Sequence, residues 1–173
     1  MCARCRRNGG TTHDTDIDID MKHWAMELAV HDRRLGEAEL AESLRRHRHD
    51  FTPSLTDEFI KNYSRKWSGQ ACHLFCTDAD GNVKALLVYY ANRLPFIYTT
   101  HVWIDRSCRR QGYCAALFSL AERLSREKGF TAHMLEVADD NAGAAAAYEK
   151  LGFELFEKRD RSSILKKDIV MTK

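Results

Sequence analysis

From Phe96 to Phe153 the chain changes its hydrophobic period repeatedly, and the order of those changes restricts the fold more than any other feature. Phe96–Ile104 is dense in aromatic and β-branched residues and reads as a strand. A polar loop over 105–111 leads into Gly112–Lys128, where Leu117, Leu120, Ala121 and Leu124 recur at helical spacing. Gly129 supplies a helix stop, and His133–Val137 returns to strand. Two strands joined through a helix cannot be hairpin neighbours, so this unit makes a parallel pair. In such βαβ units ligands collect at the carboxyl ends of the strands. Asn141 then caps a second helix that runs to Leu151, with Gly152 as its stop.

The rest of the chain fits around that unit. Ala71–Thr77, Val83–Ala91 and Phe96–Ile104 read as three strands separated by Asp80-Gly81-Asn82 and by Asn92–Pro95, which predicts an antiparallel meander. Three helices are expected ahead of it. They cover Met21–Val30, Gly36–His47 with Leu40 and Leu44 on one face, and a segment capped by Ser54 or Thr56 that reaches Trp67. Phe153–Lys158 and Ile164–Met171 read as a closing hairpin. The expected class is α+β: a mixed sheet with an antiparallel meander, a βαβ unit and a closing hairpin, and helices on both faces. Residues 21–173 form one domain in this reading, and the polar Met1–Asp20, which has no helical stripe, is expected to lack fixed structure.

Composition removes several classes of function. The 173 residues carry 27 Lys and Arg against 25 Asp and Glu, a net charge of +2 that gives no argument for nucleic acid or a membrane surface. No run of about 18 apolar residues is present, so no transmembrane helix is expected. Arg4, Arg6 and Arg7 are followed by no apolar stretch, so the start does not read as a secretory signal. Six scattered cysteines do not form a dense disulfide framework; reduced thiols in a cytoplasmic protein are expected. Cys2-x-x-Cys5 has metal-like spacing but no second pair, so no metal is expected. Cys72 and Cys76 share one strand face and are expected in the core.

The loop between the Phe96–Ile104 strand and the next helix, Arg109-Arg110-Gln111-Gly112-Tyr113-Cys114, has the makings of an anion site. The first N–H groups of a helix have no internal partner and lie at the positive end of its dipole. Gly112, without a Cβ, lets a phosphate approach the backbone, and Arg109 and Arg110 add charge. The same residues also fit a helix start decorated with solvated arginines. Neither G-x-x-x-x-G-K-(S/T) nor G-x-G-x-x-G is present, which argues against a nucleotide P-loop and a dinucleotide fold.

Arg109-x-x-Gly112-x-Cys114 resembles the (Q/R)-x-x-G-x-(G/A) signature of the GNAT superfamily of N-acetyltransferases, with Cys114 in place of the usual Gly or Ala. Leu135-Glu136-Val137, Asn141, Ala144, Tyr148 and Gly152-Phe153 are similar to the family's L-E-V-x-x-x-N-x-x-A-x-x-x-Y-x-x-x-G-F pattern at every named position. The resemblance implies acetyl-CoA as co-substrate and an amine acceptor, with a homodimer as a further possibility. It implies that the backbone of Val102, Trp103 and Ile104 pairs with the pantetheine arm, and that Arg109, Arg110, Gln111, Gly112, Tyr113 and Cys114 take the pyrophosphate, with Asn141 beside the cofactor. It also implies Glu136 as general base and Tyr148 as general acid, with β-strand N–H groups near Trp103 and Ile104 receiving the oxyanion. The residues support this chemistry. An amine must lose a proton to attack a thioester, and a carboxylate can accept it. A phenol with an ordinary pKa near 10 stays protonated and can donate to a departing thiolate.

Glu136 equally fits a solvent-facing position or one tied to an arginine, and Tyr148 a packing role. His101 offers another base, but its parity is opposite to that of Tyr98, which puts it on the other side of a regular strand. His47-Arg48-His49, after Arg45-Arg46, reads as solvated charge at a helix end. The Asp160–Ser163 hairpin tip is expected near the acceptor if the family layout holds. A rival reading is a non-catalytic acyl-CoA-binding sensor or interaction module. A third is a similar fold binding another phosphate ligand.

Overall fold

The computed structural model describes residues 28–51 and 53–169. Its strands are β1 (Ala29–His31), β2 (Cys72–Thr77), β3 (Val83–Tyr90), β4 (Phe96–Ile104), β5 (Ala132–Ala138), β6 (Glu154–Lys158) and β7 (Ser162–Asp168). Its helices are α1 (Glu37–Arg46), α2 (Asp57–Gln70), α3 (Tyr113–Arg126) and α4 (Ala142–Lys150). One sheet holds the strands in the order β1-β2-β3-β4-β5-β7-β6. The meander β2-β3-β4 is antiparallel, and β4 and β5 are parallel, as the crossover requires. The closing hairpin docks through β7, which pairs antiparallel with β5 and leaves β6 at the edge.

Cap chemistry sets the helix ends. The Thr56 side chain accepts from the Phe59 N–H, and Asn141 Oδ1 accepts from the Ala144 N–H, so α2 and α4 start where these residues place them. Gly129 and Gly152 follow α3 and α4 at φ +86°, a conformation open to glycine at little cost.

Helices cover both faces of the sheet. On one face α3 and α4 bury Leu117, Phe118 and Leu120 against Leu74, Leu87, Ile97 and Leu135. On the other, α1 and α2 bury Leu40, Leu44, Ile60 and Trp67 against Phe75, Leu86 and Val88. Cys76 is buried and Cys72 partly buried against the first cluster, on the shared face expected of them.

Two expectations change. Ala29 and Val30 do not continue a helix from Met21; they belong to β1 and pair with Thr77 and Cys76. A three-residue strand is too short to show a period, and it forms because β2 offers an unpaired edge. Residues 21–27 of the expected helix, Met1–Asp20 with Cys2 and Cys5, and Met171 lie outside the described residues.

The second change is in β4. Val88 pairs with His101 but Tyr89 pairs with Thr99, so Thr100 is an extra residue. A bulge of one residue reverses the alternation beyond it. Ile97 and Thr99 face α3, whereas His101 and Trp103 face α1 and α2, the side shared by Tyr98 through its partner Tyr90. His101 therefore lies on the same face as Tyr98, contrary to the parity expectation, and is buried, with no partner for its Nε2 among the described residues.

The pairing of β4 with β5 ends at Thr99 and Leu135, and the strands separate beyond it. A buried network fastens the point of separation. His133 on β5 lies 2.7 Å from Thr99 Oγ1 and 3.2 Å from Glu122 Oε1 on α3; Lys167 Nζ on β7 donates to Glu122 Oε2 at 2.9 Å. Burial pushes the Glu122 carboxyl up, but the bonds from His133 and Lys167 outweigh it and hold it below its usual range. Burial lowers His133, so the imidazole is neutral, donates from Nδ1 to Glu122 and accepts from Thr99 at Nε2.

Candidate active site

Where β4 and β5 part, a cleft of about 450 Å³ opens. Thr99 to Val102 form one side, and Leu135, Glu136 and Tyr148 the other. The third wall comes from the α1–α2 connection and the first turn of α2, through Phe51, Leu55 and Phe59. The cleft thus sits at the carboxyl ends of the parallel strands.

The two residues given catalytic roles by the resemblance both line the cleft, with Val102 and His101 opposite. Tyr148 projects from α4 between Phe118 and Phe153, with ring centroids at 5.7 and 6.1 Å. Burial, and secondarily the Cys114 thiol, pushes its phenol above the usual range, so it is fully protonated at neutral pH. Glu136 faces the cleft from β5 and is also tied to an arginine. Its Oε2 accepts from Tyr98 Oη at 3.3 Å and from Arg159 Nη1 at 3.2 Å, and its Oε1 accepts from Ser162 Oγ. Through Ser162 the hairpin tip reaches Glu136, without itself lining the cleft. Burial, and secondarily the Glu136 charge, raises the Tyr98 phenol, so Tyr98 remains a donor.

The Arg109–Cys114 loop lies between β4 and α3. Arg109 Nε donates to the Ile104 carbonyl and Gln111 Nε2 to the Ser107 carbonyl, bracing the loop on itself. Arg110 (φ 64°) and Gly112 (φ 86°) both take left-handed conformations. For arginine that conformation costs about 1 kcal/mol, a strain found where a loop must present its backbone. Helical bonding begins with the Ala116 N–H to the Gly112 carbonyl, so the first turn of α3 has the N-terminal polarity that suits an anion. Tyr113 is buried in the core, so it can serve a ligand through its backbone alone. Cys114 is partly exposed, and burial raises its thiol to about 11, leaving it un-ionised.

The other candidates divide. Val102 lines the cleft, whereas the Trp103 side chain turns away, stacks on His47 at 3.8 Å and donates to Asp50 Oδ2. Ile104 packs partly buried against the α3 face. Asn141 is outside the cleft wall, with its side-chain oxygen engaged as the α4 cap. His47 is not solvated as expected: it is buried beneath Trp103, and burial lowers its imidazole to about 4. Among the described residues no group of three His, Cys, Asp or Glu side chains is placed to hold a metal ion, and no helix is long and apolar enough to cross a membrane.

Sequence reasoning missed the aromatic wall of Phe51 and Phe59 and the donors Tyr98 and Arg159. These belong to no motif. The local signal was a pair of phenylalanines on either side of the Pro53 break.

Residues 38–153 match the family model for the Acetyltransferase (GNAT) family. Solved structures agree. The ribosomal-protein-S18-alanine N-acetyltransferase from Escherichia coli superposes with a TM-score of 0.65 at 21% identity, over 84% of this chain and 97% of that one. The PaiA N-acetyltransferase from Thermoplasma acidophilum, solved with coenzyme A, gives 0.63 at 15% identity, over 81% and 99%. A GNAT-family acetyltransferase from Staphylococcus aureus Mu50 gives 0.67 at 11% identity, over 82% and 100%. A search of curated proteins by sequence returns no match.

Proposed function

The chain belongs to the GNAT family of acetyltransferases, and from that premise we propose that it moves an acetyl group from acetyl-CoA to a primary amine of a small molecule or peptide N-terminus by direct transfer. One observation carries the reading: a protonated phenol, Tyr148, and a carboxylate, Glu136, line the same cleft, at the point where β4 loses its parallel partner.

Acetyl-CoA supplies the activated thioester. The Arg109–Cys114 loop and the first turn of α3 would hold its pyrophosphate, through the backbone N–H groups after Gly112 and the charge of Arg110. Beyond Thr99, β4 offers unpaired backbone groups on its β5 side, suited to an extended arm and to a developing oxyanion. Glu136 holds the acceptor ammonium and takes its proton; Tyr148 returns a proton to the departing sulfur. A second reading, an acyl-CoA sensor without chemistry, draws support from the three donors already engaging Glu136.

Thermal unfolding with acetyl-CoA, CoA, ATP and NAD in turn tests the cofactor assignment. A ligand at about 100 times its dissociation constant stabilises by about 2.7 kcal/mol, a rise of roughly 5–10 °C for a chain of this size. The rise is expected with acetyl-CoA and CoA alone; a larger one with ATP or NAD removes the assignment.

A further inference from the structure

We infer that the amine filling this cleft is a monoamine whose ammonium lies beside an apolar, ring-sized body, and that Phe51 and Phe59 select it. The inference rests on the transferase reading above and names the acceptor class it leaves open.

The acceptor side of the cleft has two chemically distinct parts. One is aromatic. Phe51 stacks on His101 at 5.1 Å, and Phe59 stacks on Tyr63 at 4.1 Å, so each ring is braced from behind. Both phenylalanines are only half-buried, leaving aromatic area turned to the cleft. His101 is buried, and its imidazole is pushed down to about 3 by that burial, so this wall carries no positive charge. The other part is Glu136, the one carboxylate among the described lining residues, which include no lysine or arginine.

Arg159 shows how a cation meets that carboxylate. Its guanidinium reaches Glu136 Oε2 from outside the cleft wall, is about half exposed, and has a second carboxylate, Glu157, at 3.1 Å. An arriving ammonium can take its place on Glu136 while Arg159 keeps Glu157. A single carboxylate satisfies one ammonium. A polycationic amine needs further carboxylates and an acidic amine needs a cation, and the described lining holds neither; three of its hydroxyls, Ser54, Thr56 and Thr99, are already engaged by His49, the Phe59 N–H and His133, which leaves a sugar-like amine few partners. A cleft of about 450 Å³ is within the range that encloses a ring and a short amine arm. Two sources share this chemistry: a free arylalkylamine, and a peptide amino terminus with an apolar first side chain.

Calorimetry on the CoA-saturated protein distinguishes these ligands without depending on turnover. The probes are 2-phenylethylamine, a tripeptide amide beginning with phenylalanine, putrescine and glucosamine, with initial acetylation rates measured in parallel. The two ring-bearing amines are expected to bind at least about tenfold more tightly than the other two, a ratio within reach of an apolar pocket. Which of the two binds more tightly identifies the source. Phe51→Ala and Phe59→Ala each reduce the preference about tenfold, and Phe51→Leu and Phe59→Leu retain most of it, all with the acetyl-CoA-induced rise in Tm unchanged. Equal or tighter binding of putrescine or glucosamine, or a preference untouched by both alanine variants, overturns the inference. In that event the acetyl-CoA response still stands for the transferase reading. Conversely, selective binding of ring-bearing amines with no transfer to any of them upholds the selectivity and removes the chemistry.

Discussion

Glu136 shows how far one residue's role depends on its neighbours. The carboxylate proposed as the base shares its oxygens with Tyr98, Arg159 and Ser162, so it is fixed in direction before any acceptor arrives. Glu136→Gln keeps the shape and loses the charge; it should raise the acceptor KM and lower kcat together. Tyr148→Phe removes only the phenolic oxygen from a ring already packed on Phe118 and Phe153. It should lower kcat by about 10²–10⁴, the range for a lost general acid, with acetyl-CoA affinity nearly intact. Unchanged turnover would take Tyr148 out of the acid role. Both residues were legible because they stand in a run of matched spacings. Tyr98 stands in no motif, and its bond to Glu136 crosses 38 positions, which no local pattern records.

At the scale of elements, the bulge in β4 shapes one side of the cleft, and the loop into α3 is the proposed anion site. Gly112 takes φ 86° at the N-cap of α3. Gly112→Ala adds a Cβ in that conformation, at a cost of roughly 1–2 kcal/mol, and puts it where a phosphate would approach. The expected result is acetyl-CoA binding weaker by about tenfold or more in calorimetry, with Tm falling a few degrees. A variant that keeps full affinity would show that the loop does not receive the pyrophosphate. The helix bounds and the parallel pair were readable, because period, cap residues and crossover order are local properties. The bulge was not. Thr100 is spelled like any other strand residue, and only pairing with β3 reveals that it is unmatched.

At the scale of the whole molecule, buried imidazoles tie stability to pH. Burial lowers His47 to about 4 and His101 to about 3, between the sheet and the α1–α2 layer. Each binds its proton more weakly in the folded chain than in the unfolded one, where the pKa is near 6.5. Acid therefore favours the unfolded chain. Stability should be complete above about pH 6.5 and fall as pH drops toward 4, by up to about 1.4 kcal/mol per pH unit for each group. Urea midpoints at pH 7 and pH 5 measure this, and His47→Phe should shrink the difference. A midpoint unchanged between those two values would mean the two imidazoles protonate without cost. The sequence placed His47 in solvent because it follows two arginines; the stack beneath Trp103 arises when a helix end closes over the sheet.

The amino-acid sequence by itself determined the order of the elements, the parallel crossover, the two-sided covering of the sheet and the residues of the two family motifs. These rest on interactions within a few positions: strand alternation, helical spacing, caps and turns. Tertiary structure alone decided that β1 joins the sheet, that His101 shares a face with Tyr98, and that Phe51 and Phe59 wall the cleft. It also decided that Arg159 and Ser162 reach Glu136. Each of those outcomes depends on which strands become neighbours and on one unmatched residue between them, and that is fixed only when distant segments pack.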